Sequence, residues 1–200
     1  MESTFVESVC DIDMEMRYVK GNSKVKPFFI GVYAVTQNQW FKIMNTSIYM
    51  QRIKVNPNTS LNSVGPDYPM YYVNWEDVNE FCKTLSNVSG KCYRVPTYTE
   101  WRYAACAGDS LNDVAWYKDN SNDIIHPCGC KKPNKLGIYD MYGNVWEWCK
   151  DVYDREGLFR IISGGAWCNH ASFCSENVRV CAMAATRNDR IGFRVVADVV

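Results

Sequence analysis

Apolar residues along this chain have helix-like spacing in the first half and strand-like runs in the second. Residues 28–36 form a β-rich run that predicts a strand, and Thr36 can N-cap a helix over Gln37–Met44. Residues 45–68 are mostly polar and contain Pro and Gly, which predicts a long surface loop. A further strand is predicted at 70–73, where the chain becomes apolar again.

The clearest predicted helix follows Asn74, which can act as its N-cap, and ends at Gly90. Apolar residues at i, i+3, i+4 and i+7 form its buried face: Val78, Phe81, Cys82 and Leu85. A third helix is predicted from Thr97 to Ala107, because Thr97 and Glu100 have the spacing of a capping box.

Short strands between turns are predicted in the second half of the chain. Residues 109–135 are rich in Asn, Asp, Gly and Lys and are too polar for a core layer. The predicted strands are 136–140, 145–149, 160–163 and 192–196. Since helices gather early and strands gather late, we expect one α+β domain with many loops, spanning residues 1–200.

Composition excludes several classes of protein. The chain is 47% hydrophobic and 22% charged, so long disorder is excluded. Lys and Arg together number 22 and so do Asp and Glu, so there is no electrostatic case for a nucleic-acid partner or an anionic membrane surface. Apolar runs such as 27–33 are too short to span a bilayer. Residues 1–10 do not read as an export leader, so a leader was either removed or never present.

The ten cysteines do not have the spacing of a zinc site. No C-x-x-C pair occurs and there are only two histidines, so we do not expect structural zinc. Cys82 and Cys106 lie within apolar helical patterns and are predicted to be buried thiols. Cys128 and Cys130 are too close in sequence to bond comfortably to each other.

The segment 136–148 contains more than local structure requires. A Gly-Asn pair at 143–144 favours a turn with positive φ. Trp146 and Trp148 then alternate with Glu147, so the two indoles share one face of a strand and the carboxylate lies on the other. Each indole needs a thick core and a partner for its N–H group.

Asp140 and Glu147 lie on either side of this turn and suggest a cation site. Their carboxylates and the intervening carbonyls can converge on one ion, and hard oxygen ligands suit Ca²⁺. The alternative is that Asp140 caps the turn and Glu147 pairs with a surface arginine. The residues alone leave both possibilities open.

Motifs in the same order along the chain resemble those of the formylglycine-generating enzyme (sulfatase-modifying factor) domain family. The resemblance implies a variant of the C-type lectin fold, with two main helices, short twisted antiparallel strands and little other regular structure. It also implies a calcium site formed by Asp140, Glu147 and the carbonyls of Gly143 and Val145. The motifs are GVYAVTQ at 31–37, YVNWED at 72–77, RVPTYTEW at 94–101, the segment 137–148, GGAW at 164–167 and IGFR at 191–194.

The family's oxidases use two thiols in a C-x₄-C arrangement that binds copper(I), and this chain departs from that arrangement. Cys174 and His170 match the family positions, but the first thiol position is Asn169. Cys168 lies one residue early, which gives C-x₅-C, and in an extended segment this shift turns a side chain to the opposite face. An oxidase using Cys168, Cys174 and copper is therefore the alternative function, and another metal-dependent oxidation is a weaker third.

Residues 164–194 also resemble the variable region of proteins diversified by retroelements, including a Treponema example with this lectin fold. Such regions lie between Gly-Gly-x-Trp and Gly-Phe-Arg motifs, and adenine mutagenesis diversifies their asparagine codons. The stretch 167–174 fits a template of the form W-NNN-A-NN-C, and 188–190 is a second candidate cluster. Glu176 and Met183 cannot arise from an asparagine codon and would be fixed or derive from other triplets.

We therefore expect a non-catalytic binder of a protein or cell-surface ligand, requiring no cofactor, exported and displayed outside the cell. Aromatic anchors among adaptable polar groups are typical of recognition loops. The alternative for the aromatic residues is a core role, with the polar residues only decorating a loop. The predicted ligand-binding residues are Trp167, Cys168, Asn169, His170, Ser172, Phe173, Asn188, Asp189 and Arg190.

Overall fold

A computed structural model describes residues 4–105 and 110–199 of the protein. The helices are α1 (Gln37–Met44), α2 (Ile48–Ile53), α3 (Trp75–Ser89), α4 (Tyr98–Ala104) and α5 (Leu111–Val114), and Ala171–Phe173 forms a 3₁₀ turn. The strands are β1 (Thr4–Val9), β2 (Ile12–Val19), β3 (Phe28–Gly31), β4 (Tyr93–Arg94), β5 (Ala115–Trp116), β6 (Tyr142–Gly143), β7 (Trp146–Val152), β8 (Phe159–Ser163), β9 (Val180–Met183), β10 (Ile191–Gly192) and β11 (Val196–Asp198). Within these ranges no helix is long and apolar enough to cross a membrane.

The first sheet has the strand order β1-β2-β3-β11-β4, and all its neighbouring strands are antiparallel. Its β1–β2 hairpin turns at Cys10 and Asp11, whose φ angles of 52° and 57° suit a two-residue hairpin turn. Ile12, Met14 and Met16 alternate toward the core. This hairpin is not among the predicted elements, although alternating apolar and charged residues are a signal for such a strand.

The two longest helices are the ones that the sequence predicts most clearly. Thr36 and Asn74 cap α1 and α3, each in a reciprocal capping box, with Gln39 and Asp77 respectively. Helix α3 ends at Gly90, which has a φ of 73°. The predicted apolar face of α3 is buried, including Cys82. The predictions for both helices are confirmed.

The second sheet has the strand order β10-β7-β8-β9, and β5 pairs separately with β6. The pairs β10–β7 and β5–β6 are parallel, whereas the other pairs are antiparallel as the resemblance implies. Side chains alternate across β7, so Trp148 lies in one core cluster and Cys149 in the other. Strand β7 therefore lies between the two halves of the core. The turn that precedes it, at 143–145, is flanked by Tyr142 in one cluster and Val145 in the other.

Two predicted strands are absent. Residues 70–73 are buried but are not part of a strand. The nearest strand-like pairing is a single bridge between Thr36 and Pro69. Residues 136–140 form turns, because Asn134 accepts hydrogen bonds from the backbone of Leu136 and Ile138. In both stretches the backbone is irregular although apolar side chains are buried. The composition indicates the burial but does not show whether the backbone forms a strand.

Other boundaries also differ from prediction. Strand β3 ends at Gly31, the predicted strand at 192–196 is divided between β10 and β11, and the polar loop at 45–68 contains α2. Helix α4 ends at Ala104. The predictions for Cys106 and Ala107 lie outside the described residues.

Candidate ligand-binding site

The chain enters the predicted variable region through a Gly-Gly turn. Gly164 and Gly165 have φ angles of 107° and 82°, a region that favours glycine. A Cβ on Gly165 would lie 2.8 Å from the Cys174 sulfur, so the turn packs directly against that thiol. The backbone N–H of Trp167 donates to the carbonyl of Asn144 at 2.9 Å. The region therefore starts from a backbone anchored on the turn before β7.

Trp167 connects the two predicted clusters. Its side chain is half-buried against the core, and its indole N–H donates to the carbonyl of Asp189 at 3.3 Å. Its own carbonyl accepts the Ser121 hydroxyl at 2.8 Å. The structure thus brings 167–173 and 188–190 together, and it places the Trp167 ring in the scaffold between them.

Four of the predicted residues have exposed side chains: His170, Ser172, Phe173 and Arg190. We call these four the display surface. The 3₁₀ turn at Ala171–Phe173 contains Ser172 and Phe173, and His170 directly precedes it. Phe173 remains 40% exposed and makes an edge-to-face contact with Trp146, with ring centroids 6.2 Å apart. The display surface combines one aromatic ring, one imidazole, one hydroxyl and one guanidinium.

Asn169 lies at the centre of an internal hydrogen-bond network. Its Oδ1 accepts the indole N–H of Trp146 at 2.8 Å and the backbone N–H of Ala166 at 3.0 Å. Its carbonyl accepts the backbone N–H of Lys118 at 2.9 Å. The side-chain oxygen of Asn169 is therefore occupied within the protein, which distinguishes this residue from its exposed neighbours.

The second cluster is held in place by a neighbouring residue that sequence reasoning missed. The Arg187 guanidinium bonds to Asp77 at the start of α3 and to the Gln51 side chain in α2 at 3.3 Å. Asn188 accepts the Tyr72 backbone N–H at 3.0 Å, and Asp189 is half-buried. No pattern in the sequence pairs Arg187 with Asp77, because 110 residues separate them.

The two thiols of the oxidase alternative lie in different environments. Cys174 is buried in one core cluster, whereas Cys168 is half-buried against the other. Burial raises the pKa of Cys174 to about 12 and also raises the pKa of Cys168. Copper(I) binds thiolates, so both shifts oppose the protonation state that the metal needs.

Glu147 does not fit the calcium site implied by the resemblance. Its Oε2 accepts the Trp101 indole N–H at 2.7 Å and the Arg194 Nε–H at 2.6 Å, and its Oε1 accepts from Arg194 Nη2 at 2.7 Å. Arg194 is buried and also donates to the carbonyls of Gly31 and Tyr139, each at 2.9 Å. Within residues 4–105 and 110–199, no three His, Cys, Asp or Glu side chains form a group that could hold a metal.

The remaining members of that predicted set have other roles. The Asp140 Oδ2 accepts the Gly129 backbone N–H at 2.7 Å, and its buried Oδ1 has no hydrogen-bond partner. Asp140 therefore does not cap the 143–144 turn, and the arginine that pairs with Glu147 is buried and not on the surface. Gly143 and Val145 are buried, and the Gly143 N–H donates to the Gly164 carbonyl at 2.8 Å.

A profile of the sulfatase-modifying factor enzyme 1-like domain family matches residues 9–199. The chain belongs to this family. It is 28% identical to the chaperone protein LppX of Paenibacillus barcinonensis, covering 75% of this chain and 72% of LppX. It is also 28% identical to the formylglycine-generating enzyme of Streptomyces coelicolor, covering 66% of this chain and 54% of the enzyme. The chain thus spans about half the length of that enzyme.

The fold of this sulfatase-modifying factor domain closely follows that of a solved structure, Treponema denticola variable protein 1. The TM-score is 0.79 at 24% sequence identity, and the match covers 98% of this chain and 99% of the other. The predicted α+β class and the C-type-lectin-like fold, in its formylglycine-generating-enzyme variant, are therefore confirmed.

Proposed function

We propose that this domain is a non-catalytic binding protein whose display surface contacts a protein or cell-surface ligand. One observation carries the proposal: the Trp167 indole joins the two clusters at Asp189, while the side chains that project beyond this contact are exposed. Backbone hydrogen bonds anchor the segment, so the exposed side chains are free to contact a partner.

The chemistry of the display surface supports recognition of a macromolecule. Phe173 offers a rigid apolar contact, and His170, Ser172 and Arg190 offer directional polar contacts. Trp167 and Asn169 lie behind this surface and hold its backbone in place.

Exchange of the exposed residues is compatible with the scaffold, which supports diversification by a retroelement. No side-chain hydrogen bond to the rest of the described protein holds His170, Ser172 or Phe173. Substitutions there change the surface and leave the anchoring hydrogen bonds intact, and only a substitution of Phe173 also removes a ring contact, the one with Trp146. A binder of this kind acts outside the cell, so we extend the proposal to export and surface display.

The oxidase alternative has less support. Its two thiols lie against different core clusters, and the pKa of each is raised. An oxidase needs both sulfurs on one copper ion. The 28% sequence identity to the formylglycine-generating enzyme of Streptomyces coelicolor is the observation that favours this alternative.

A display experiment tests the proposal. A yeast library randomised at His170, Ser172, Phe173 and Arg190 is selected against hen egg lysozyme as an arbitrary protein target, and a control library is randomised at the exposed α3 residues Glu80 and Lys83 together with Asn87 and Val88. We expect specific binders from the first library alone. Equal enrichment from both libraries, or none from the first, contradicts the proposal.

A genomic observation tests the diversification step independently. A near-repeat of the codons for 164–194, differing at template adenines and lying beside a reverse transcriptase gene, is the expected arrangement. A template whose differences fall at bases other than adenine contradicts it. Copper(I) titration with thiol labelling tests the alternative, since an oxidase binds one copper ion through both thiols.

A further inference from the structure

A concave surface that shares no lining residue with the display surface lies between the first sheet and α4. It consists of two adjoining cavities of about 490 and 540 Å³, which have Lys24, Val25 and Thr99 in common. Pockets of a few hundred Å³ suit small organic ligands. We call the two cavities together the Lys24 groove.

One end of the Lys24 groove is apolar. Val25, Tyr103 and Leu136 form the apolar part of its wall, and Arg102 also lines it. The Tyr103 hydroxyl donates to the Gly21 carbonyl at 3.0 Å, so its ring is held in position against the groove. The nearby Glu176 carboxylate accepts the Tyr142 hydroxyl at 2.8 Å, which satisfies one of its oxygens within the protein.

The other end of the Lys24 groove is cationic. Arg94 binds both carboxylates of that cavity, Glu100 at 2.8 Å and Asp198 at 2.7 Å. Lys24, Lys26 and Lys150 also line this cavity, and within the described part of the chain none of them forms an ion pair. Lys150 is nevertheless among the charges that lower the pKa of Asp198, after the hydrogen bond from Arg94. Three lysines therefore line a cavity whose two carboxylates are already engaged by Arg94.

We propose that the Lys24 groove binds a small amphipathic anion, with a medium-length apolar chain ending in a carboxylate, sulfate or phosphate. The apolar end removes the chain from water, and the ammonium groups attract the anionic head. This site goes beyond the proposed function and does not depend on it, because the display surface contributes none of its lining. Glu176, which an asparagine codon cannot produce, lines the apolar end.

Octanoate is the probe. The controls are octanamide, which keeps the apolar chain without the charge, and acetate, which keeps the carboxylate without the chain. Binding of octanoate, of the neutral analogue octanamide and of acetate is measured by amide chemical-shift titration of the ¹⁵N-labelled protein. We expect octanoate to bind about tenfold more tightly than octanamide or acetate, with chemical-shift changes centred on Val25, Tyr103, Leu136 and Lys150. Octanamide binding as tightly as octanoate, or shifts elsewhere on the protein, overturns the proposal.

Matched variants locate the two ends of the site. The double variant Lys26→Gln/Lys150→Gln is expected to weaken octanoate binding about fivefold and to remove most of its salt dependence, whereas Lys83→Gln on the exposed face of α3 leaves it unchanged. Leu136→Ser is expected to weaken octanoate and octanamide alike, and Leu158→Ser, in an exposed loop, neither. Thermal unfolding of each variant confirms that it is folded, and unchanged octanoate affinity in the folded lysine variant overturns the proposal.

Vesicles distinguish a free ligand from a lipid surface. Cosedimentation is measured with phosphatidylglycerol–phosphatidylcholine vesicles and with phosphatidylcholine vesicles alone. We expect no cosedimentation with either. Cosedimentation with the anionic vesicles that Lys26→Gln/Lys150→Gln abolishes would assign the cationic end to a membrane and overturn the free-ligand proposal.

Discussion

The indole N–H of Trp146 donates to the Oδ1 of Asn169 at 2.8 Å and thereby connects β7 to the loop beneath the display surface. The indole is buried and Asn169 is half-buried, so loss of the asparagine removes the protein acceptor of a largely buried N–H group. The same oxygen accepts the Ala166 N–H, which makes Asn169 the support on which the exposed loop rests.

Asn169→Ala is expected to destabilise the protein by about 1–3 kcal/mol, because the buried Trp146 N–H loses its acceptor. Urea denaturation monitored by tryptophan fluorescence measures the effect. Ser172→Ala, in the same loop but exposed, is the control and should change the free energy of unfolding by less than about 0.5 kcal/mol. Equal effects for the two variants would remove Asn169 from its supporting role.

Arg194→Met is expected to destabilise the protein by about 3–5 kcal/mol, because Glu147 then remains buried without its partner charge. Glu147→Gln should also destabilise it. The double variant should be less destabilised than the sum of the single variants, since it leaves no uncompensated charge. Denaturation of all four proteins measures the coupling, and strict additivity would contradict the ion pair.

Calcium is expected to leave the thermal midpoint unchanged, because Arg194 already engages both oxygens of Glu147. Melting in millimolar CaCl₂ and in EDTA tests this expectation. MgCl₂ at the same concentration controls for ionic strength. A calcium-specific rise in the midpoint that Glu147→Gln abolishes would restore the metal site implied by the family resemblance.

Asp140→Asn is expected to stabilise the protein more at pH 7 than at pH 4. Burial raises the pKa of Asp140 from 3.8 to about 6 in the folded protein, so folding becomes less favourable as the pH rises through this window. The ionised form then costs up to about 2–3 kcal/mol, which the variant avoids. Asparagine retains an acceptor for Gly129 and tolerates the φ of 54° at this position.

The measurement for Asp140→Asn is urea denaturation of both proteins at several pH values from 4 to 7. The difference in the free energy of unfolding should grow with pH and level off above about pH 6. Tyr18→Phe serves as a control without a carboxylate. A difference that stays constant with pH would show that Asp140 does not titrate in this range.

Native-state alkylation is expected to modify Cys174 far more slowly than the exposed Cys10, Cys92 and Cys130. Burial shields its sulfur and raises its pKa to about 12, so little reactive thiolate is present at neutral pH. Timed iodoacetamide labelling with mass spectrometry gives the rate at each cysteine, and unfolding in urea should equalise the rates. Rapid paired modification of Cys168 and Cys174 would favour the oxidase alternative.

Local signals in the sequence were sufficient for the parts of the fold that are local in origin. The capping residues Thr36, Asn74 and Thr97 and the periodic face of α3 predicted three helices, because a helix is defined by contacts within a few residues. Alternation predicted that Trp146 and Trp148 lie on one face of β7. The ordered motifs predicted the family and the lectin-like fold.

Tertiary structure alone decided which of the predicted site residues support the domain and which face solvent. Asn169 and His170 are neighbours in the same polar stretch. Asn169 nevertheless accepts a hydrogen bond from Trp146 in β7, whereas the side chain of His170 is exposed to solvent. Glu147 had the residue type and spacing of a calcium ligand, but Arg194 neutralises it across 47 residues. Such contacts depend on how distant segments pack, so no local pattern encodes them, whereas caps, periodicity and motif order are written in the sequence itself.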